Sequence, residues 1–473
     1  MSAVFGAYSI FCRARVPSAE KEIGQARWGE ELLQRARRLD KLIFFEVEGA
    51  GSREFSPAAR KILDSRYICV KLSPQKYPAD NAVLLDIYKQ SGARGKFSLG
   101  ILSPRGAPIF LASSFSADPR SPFYDAACLM GALAAFQKNR NADFFSVQDG
   151  ISLFRRADFP SLFAAGNSVA GLADLAIFFA AADWGENTAL LSENARLAAR
   201  LARSHSAVAL EISETAYEAL LNASLSAEKF SSKLLIARAL SEYSLLMIAP
   251  SAQQNFLRLA DEILKFRDDA DGLFYENSAA ILRDNALAVS VIARACALSE
   301  SAKYREVLES SCAALSRILQ KTNIPPCVLS ANKSALYSET QCIGCALLAR
   351  AFIDAYIATS NREYLVEAMR VFELTDTLFA DKRDGGWYCN LPRSMFSSSY
   401  RAKNFSDAVY PSDNGEAAQV LSDLCRLRGA NPARLMNIAS NFNYRAGLGS
   451  LENASLKLSL LSNPIFRKMR PAR

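Results

Sequence analysis

The strongest constraint on the fold is a change of pattern near residue 140. From Trp28 to Arg140, short apolar runs such as K-L-I-F-F-E-V alternate with amphipathic segments. After residue 141 the spacing of apolar residues is typical of helices throughout. Short β-rich runs next to glycine predict strands, and apolar spacing of three and four predicts helices. The sequence therefore predicts an N-terminal extension over 1–27, a small α/β domain over 28–140 and an all-α domain over 141–473.

The all-α part consists of self-similar helix pairs. Each pair joins an Ala- and Leu-rich helix to a more amphipathic one, as in L-L-I-A-R-A-L followed by N-F-L-R-L-A-D-E-I-L and closed by D-G-L-F-Y. Repeats a few tens of residues long signal a helical repeat architecture. Helices that are apolar on all sides, alternating with amphipathic ones, predict an inner ring wrapped by an outer ring. An (α/α) barrel satisfies this pattern, and an open α-solenoid is the alternative.

Composition and charge disfavour several classes of function. The net charge of +8, from 56 Lys and Arg against 48 Asp and Glu, is spread along the chain, so we expect no nucleic-acid partner. No run reaches the roughly 20 uncharged apolar residues that span a bilayer, and the first residues lack the pattern of a signal peptide. Ten cysteines without paired spacing suit a reducing compartment, so we expect a cytoplasmic protein without a membrane partner.

One histidine limits the possible chemistry. His205 lies at a predicted helix end, where a cation interacts favourably with the last carbonyls. Histidine is the usual general base near neutral pH and the commonest metal ligand, so a Ser-His-Asp mechanism would have to use His205. We favour a capping role for His205, and we expect neither a cofactor nor a metal.

Several motifs occur in the order found in a known family. W-G-E-E-L-L-Q-R-A-R-R-L-D-K-L-I-F-F, Y-I-C-V-K-L and I-L-S-P-R-G-A-P-I-F stand in the first part, and D-A-V-Y-P-S-D-N-G-E-A-A stands near the end. The chain resembles thioredoxin-domain proteins with a C-terminal (α/α) six-hairpin barrel, the spermatogenesis-associated thioredoxin-like family. The resemblance covers about residues 28–464, with poorly matched ground between 113 and 225. It implies a thioredoxin-like α/β domain followed by a six-hairpin toroid.

This chain departs from the family mainly at residues that carry the family's chemistry. Where the family carries C-x-x-C after the first strand, this chain reads E-G-A-G-S-R-E-F-S-P, without cysteine. Without thiolates, dithiol exchange at that place is impossible. The family's H-F-E-K-M-L-Y-D-N-A corresponds here to K-F-S-S-K-L-L-I-A-R-A, which has lost the His, Glu, Asp and Asn. The resemblance thus implies a shortened, degenerate member whose first domain is redox-inactive.

Carboxylates and aromatic residues remain at the ends of the helix pairs. In (α/α) barrels, loops at one end line a pocket, and carboxylates with aromatic platforms suit carbohydrate chemistry. On this interpretation the catalytic candidates are Asp271, Glu276, Asp384, Asp413 and Glu416, and the ligand-binding candidates are Tyr275, Asp284, Asn285, Trp387, Tyr388 and Asn414. The structural interpretation, which we prefer for each motif alone, is that glycine ends one helix, the aromatic residue packs against it and Asp or Ser begins the next.

Three functional hypotheses follow. The first is a non-catalytic binding or scaffold protein with an unknown protein partner or a sugar-like ligand in the barrel mouth. The second is a sugar epimerase or glycoside hydrolase that uses the carboxylates at the hairpin ends. The third is a thiol-redox or zinc protein that uses Cys342 and Cys345. We rank them in this order.

The third hypothesis is the weakest because of where C-I-G-C lies. Both cysteines share a helical stripe with Phe352 and Ile353, which predicts two packed thiols. The pattern S-x-x-Q at Ser338 further predicts that the helix begins one turn before Cys342.

Overall fold

The structure is a computed structural model of the 473-residue chain. It describes residues 28–48, 55–138, 188–203, 207–329, 340–391 and 403–428, and also 175, 176, 179, 454, 455 and 458. Within these ranges it leaves out 75, 78–79, 82, 86–87, 89–96, 107, 116–117, 122–123, 323, 383–384, 405–406 and 408–409. The chain divides into two compact units, residues 1–73 with 91–146, and residues 74–90 with 147–473. The predicted boundaries at 27/28 and 140/141 stay a prediction.

The first unit contains a four-stranded mixed sheet of order β2-β1-β3-β4. Its elements are α1 (Glu30–Leu39), β1 (Leu42–Val47), α2 (Pro57–Arg66), β2 (Tyr67–Leu72), β3 (Leu99–Leu102), β4 (Pro108–Ala112) and α3 (Asp125–Lys138). Strands β1 and β2 are parallel, with Leu42 opposite Tyr67, whereas β3 runs antiparallel to both β1 and β4. The parallel pair requires a crossover, which α2 supplies.

Local chemistry explains the start of α2. The Ser56 hydroxyl accepts a hydrogen bond from the Ala59 N–H at 3.1 Å, and Pro57 occupies the first helical turn. Asp125 of α3 accepts from both the backbone N–H and the hydroxyl of Ser56, at 2.8 and 2.9 Å. Ser56 is therefore the N-cap of α2, and a buried carboxylate fixes it to the neighbouring helix.

The second unit is helical. Its described elements are α4 (Thr188–Ala202), α5 (Ala207–Ser226), α6 (Phe230–Met247), α7 (Pro250–Leu264), β5 (Ala280–Ile281), α8 (Leu282–Ser299), α9 (Ala302–Lys321), β6 (Val328–Leu329), α10 (Cys342–Thr359), α11 (Arg362–Phe379) and α12 (Asp413–Arg428). Helices α4, α6, α8, α10 and α12 are buried on nearly every side, whereas α5, α7, α9 and α11 each bury one face.

The buried helices run parallel and close into a ring. Thr188 at the start of α4 hydrogen-bonds Ser232 near the start of α6 at 3.2 Å, and the Ile343 N–H of α10 donates to Asp413, the first residue of α12, at 3.0 Å. Arg196 of α4 donates to Gln419 of α12 at 3.0 Å, which joins the first and last of these helices. An open solenoid keeps its ends apart, so the alternative is wrong and the (α/α) barrel prediction is confirmed.

Charged side chains pack along the barrel axis in layers. Arg196, Arg238 and Arg350 each stand eight residues after the first residue of their helix. Arg200, Glu242, Arg294 and Asp354 each stand twelve residues after it. Each of these arginines pairs with a carboxylate: those of Glu193, Glu242, Asp354, Glu416 and Asp423. We call these ten side chains the axial network.

Helix α10 is apolar and 18 residues long, and by length and composition alone it could cross a membrane. In this fold 78% of it is buried inside the protein, as expected for the core helix of a barrel. The apolar length is therefore explained by packing against α8, α11 and α12.

Candidate functional site

The barrel end at which α4, α6, α8, α10 and α12 begin is called here the mouth. The first residue of α6, Phe230, donates its N–H to the Glu276 carboxylate at 2.8 Å, and Arg283 of α8 donates to Gln341, the residue before α10, at 3.4 Å. Free N–H groups and the positive ends of helix dipoles gather where parallel helices begin. The mouth therefore favours acceptor groups and negative charge.

A carboxylate–phenol pair lies at this mouth. The Tyr410 hydroxyl donates to Asp284 Oδ1 at 2.6 Å, although the two residues are 126 positions apart. The Arg283 guanidinium carbon lies 4.1 Å from the centre of the Tyr410 ring, within cation–π range. Asp284 is 2% exposed, whereas Arg283 and Tyr410 are half-buried. A buried acid thus contacts Tyr410, which, like Arg283, is only partly buried.

Burial changes the acidity of this pair. Loss of hydration raises the pKa of Asp284 above its ordinary value, and Arg283 and Tyr410 offset part of that rise. Burial likewise raises the pKa of Tyr410, so its hydroxyl keeps its proton. Shifted pKa values in a cluster of side chains are a recognised mark of acid–base sites.

Asp413 is a second buried carboxylate at the mouth. Its two oxygens accept from the Ile343 N–H at 3.0 Å and from the Asn404 amide at 3.3 Å. Burial raises the pKa of Asp413 to about 6, against the effect of these donors. Asp413 therefore links α10 to α12, and its pKa lies above the ordinary range of an aspartate.

The other predicted carboxylates already have partners. Glu416 belongs to the axial network, 2.8 Å from Arg238 and 3.4 Å from Arg350, and these cations outweigh burial and lower its pKa to about 2. Glu276 accepts at the start of α6, and Asp271 bonds the Tyr275 hydroxyl and the Leu273 N–H. Asp384 and His205 lie outside the described residues.

The two D-G-aromatic motifs form equivalent turns. Tyr275 donates its N–H to Phe266, and Tyr388 to Phe379, both at 2.8 Å. In each turn an asparagine of the following buried helix binds the aromatic residue's backbone. Asn285 accepts from the Phe274 N–H at 2.7 Å, and Asn414 accepts from the Trp387 N–H at 2.7 Å. These asparagines hold the turns in place, which leaves them no free group for a ligand.

The aromatic side chains of these turns also have structural contacts. Trp387 is fully buried and donates its indole N–H to Asp376 at 3.2 Å. The Tyr388 hydroxyl donates to Asp381 at 2.8 Å. A buried indole cannot act as a sugar platform, so Trp387 is a core residue.

The C-x-x-C pair lies in the barrel core. Cys342 and Cys345 are both fully buried, and burial raises the pKa of Cys345 to about 12. Among the described residues, no group of three or more His, Cys, Asp and Glu side chains could hold a metal ion. The helix begins at Cys342 with Gln341 as its N-cap, so the predicted start one turn earlier is wrong. Gln341 makes no capping hydrogen bond, and its amide bonds Arg283 and Cys327 instead.

The sequence did not predict two features of the barrel, the Arg283–Tyr410 contact at the mouth and the axial network. Arg283 and Tyr410 stand next to predicted candidates, yet a lone arginine or tyrosine carries no signal of its own. The axial network did leave a signal: arginine and acidic residues four apart inside otherwise apolar helices, such as Arg238 with Glu242 and Arg350 with Asp354. A charge inside an all-apolar helix predicts a buried partner.

The fold has counterparts among solved structures. No protein-family model and no curated protein matches the chain. A family 105 glycoside hydrolase from C. acetobutylicum is similar, with a TM-score of 0.50, 11% identity, and coverage of 64% of this chain and 100% of that one. A GH76 alpha-mannanase from Bacteroides thetaiotaomicron has a TM-score of 0.45 and 13% identity, with coverage of 60% of this chain and 86% of that one. A cellobiose 2-epimerase from Bacillus thermoamylovorans has a TM-score of 0.44 and 9% identity, with coverage of 58% of this chain and 87% of that one.

At these identities the likeness shows the fold alone. The similarity to the family 105 hydrolase, which covers that enzyme in full, defines the second unit as an (α/α) six-hairpin barrel. The predicted six-hairpin fold is thereby confirmed for the barrel.

Proposed function

We propose that this chain is a carbohydrate-active barrel protein in which Asp284 supplies acid chemistry at the mouth. The observation that carries the proposal is the buried Asp284 carboxylate, bonded to Tyr410 at 2.6 Å at the end where the described inner helices begin. Burial keeps such an acid protonated to higher pH, as a general acid requires. The similar family 105 protein is a glycoside hydrolase, which supports a sugar as the ligand.

The reaction class follows from what a single acid of this kind can do. A protonated carboxylic acid can protonate a glycosidic or ring oxygen as its bond breaks. Asp413, with a pKa of about 6, is the candidate for a second proton-transfer group. Glycoside hydrolysis and sugar epimerisation both use such a pair, so both are included in the proposal.

The test compares matched variants of two tyrosine–aspartate pairs. Asp261 accepts from Tyr304 at 2.8 Å, with Lys303 over the ring, so it reproduces the Asp284 pair on outer helices α7 and α9. Wild type, D284N and D261N are assayed on a panel of aryl glycosides and, by NMR, on free sugars. We expect D284N to lose about 100-fold or more in kcat and D261N to match wild type.

Binding is measured in parallel on the same variants. A sugar that wild type turns over should raise the Tm of wild type and D284N alike, because the substitution keeps the shape of the side chain. Wild type without turnover, and without a Tm shift for any sugar, would refute the proposal.

A second candidate, a non-catalytic binding protein, is favoured by the engagement of Glu276 and Glu416 in internal bonds. It predicts sugar-dependent Tm shifts without turnover. The panel above separates the two candidates.

For the first unit we propose a thioredoxin-like domain without a dithiol. The strand order β2-β1-β3-β4, with one parallel and two antiparallel pairs and a helix between β1 and β2, supports this assignment. The segment in the place of the family's C-x-x-C contains no cysteine. An insulin-reduction assay should therefore show no activity, and reduction above background would contradict this part of the proposal.

A further inference from the structure

We propose that the Tyr410 hydroxyl is the group that delivers the proton to a ligand at the mouth, and that Asp284 is the buried acid that replaces this proton. The inference rests on the proposed function and deepens it, because it assigns the contact with the substrate to a different residue.

Asp284 is less accessible to a ligand than Tyr410. A catalytic acid must come within hydrogen-bond reach of the atom that it protonates. Asp284 is 2% exposed, and Tyr410 covers its Oδ1 atom at 2.6 Å. Tyr410 itself is half-buried, so of the two residues it is the one that offers accessible surface to a ligand.

The surroundings of the Tyr410 hydroxyl suit a relay. It contacts Asp284 on α8 and also hydrogen-bonds Ser231 on α6. When a ligand oxygen takes the place of Ser231, the phenol can donate to the ligand and accept from Asp284. This arrangement is a two-step proton wire.

Arg283 lowers the energy of the charge that appears during transfer. Its guanidinium carbon lies 4.1 Å above the Tyr410 ring, where a cation stabilises partial negative charge on the phenol. Arg283 also donates to Gln341 at 3.4 Å, which holds it over the ring. Among the described residues, Glu276, before α8, and Cys327 also act on this trio through their charges.

The step balances in atoms and charge. The Tyr410 O–H bond breaks as its proton binds the ligand oxygen, and the Asp284 O–H bond breaks as its proton moves to the phenol oxygen. The electron pair of the cleaved C–O bond stays on the protonated oxygen of the leaving group. Water adds to the sugar carbon left electron-poor and releases one proton to solvent. The protein ends with an Asp284 carboxylate, which solvent reprotonates through Tyr410.

The experiment is a double-mutant cycle on the sugar that wild type turns over. We expect Y410F and D284N each to lower kcat by about 100-fold or more with little change in KM, and Y410F/D284N to be no slower than either single variant. Y304F, which removes the matched hydroxyl on α9, should keep wild-type kinetics.

A pH profile supplies the readout that a merely structural tyrosine would not change. In wild type, kcat should fall as pH rises through the pKa of Asp284, because Asp284 must be protonated to replace the proton that Tyr410 donates. In D284N and in Y410F this alkaline fall should be absent from the residual activity.

The outcomes separate the relay from the proposed function. Loss of kcat in D284N with wild-type kcat in Y410F would overturn the relay and leave Asp284 as the acid. Losses that multiply in the double variant, or a Y410F effect confined to KM, would also overturn it. Absence of turnover by wild type would refute both.

Discussion

The charge of Glu416 should stabilise the barrel far more than an ordinary ion pair. Glu416 is fully buried, and its carboxylate receives Arg238 at 2.8 Å and Arg350 at 3.4 Å. In Glu416→Gln, the buried Arg238 guanidinium would lose its carboxylate partner, whereas Arg350 would keep Asp423. Removal of one partner from a buried ion pair costs about 3–5 kcal/mol, because it leaves a buried charge without compensation.

The control is an equally well-connected carboxylate near the surface. Glu262 is 2.7 Å from Lys233 and 3.3 Å from Arg258, with 29% of its side chain exposed. Surface pairs contribute about 1 kcal/mol or less, so E262Q should be nearly neutral. In a large domain, each kcal/mol of lost unfolding free energy lowers the Tm by roughly 2–4 °C, so E416Q should lower the Tm by at least about 6 °C.

The assay is calorimetric unfolding of wild type, E416Q and E262Q at pH 7, under conditions where unfolding is reversible. A concerted variant, R238M/E416L, tests the cause, because it replaces Glu416 and the paired Arg238 together by apolar side chains, while Arg350 keeps its ion pair with Asp423. We expect it to be more stable than E416Q. Equal Tm values for E416Q and E262Q would refute the reasoning.

Three further predictions concern single features. Asn414→Ala leaves the backbone of Trp387 without its partners at 2.7 and 3.0 Å and should cost at least about 2 kcal/mol in urea unfolding, whereas a match to wild type would show that the turn relaxes. Asp413, with a folded pKa of about 6, is stabilising when protonated, and this contribution is lost as pH rises from about 4 through 6. The Tm of D413N relative to wild type should therefore rise between about pH 4 and 7, and parallel curves would contradict the assignment. Cys342 and Cys345 should resist a thiol reagent until the protein unfolds, since both are fully buried, and labelling of the native protein would contradict this.

Local patterns predicted much of the fold. The apolar runs at 41–47 and 67–72 correspond to Leu42–Val47 and Tyr67–Leu72. The alternation of buried and amphipathic helices predicted the two rings. In each case the information lies within one element.

The candidate site was less predictable because its contacts join distant parts of the chain. Asp284 was selected from its sequence neighbourhood, but its partner Tyr410 is 126 positions away and reaches it only once the ring closes. Asn285 and Asn414 carry amides that suit a sugar, yet backbone groups of the preceding turns occupy them. Sequence types alone could not distinguish these roles.

The axial network also fixes the height of each helix in the barrel. An apolar helix can slide along its neighbours by one turn, about 5.4 Å, and still bury similar surface. In this barrel such a slide would carry Arg196, Arg238 or Arg350 away from carboxylates 2.6 to 3.4 Å distant and leave both charges stranded in the core. The charges therefore permit only one axial position of each inner helix relative to its neighbours. They thereby fix the relative positions of Asp284, Tyr410 and Asp413 at the mouth.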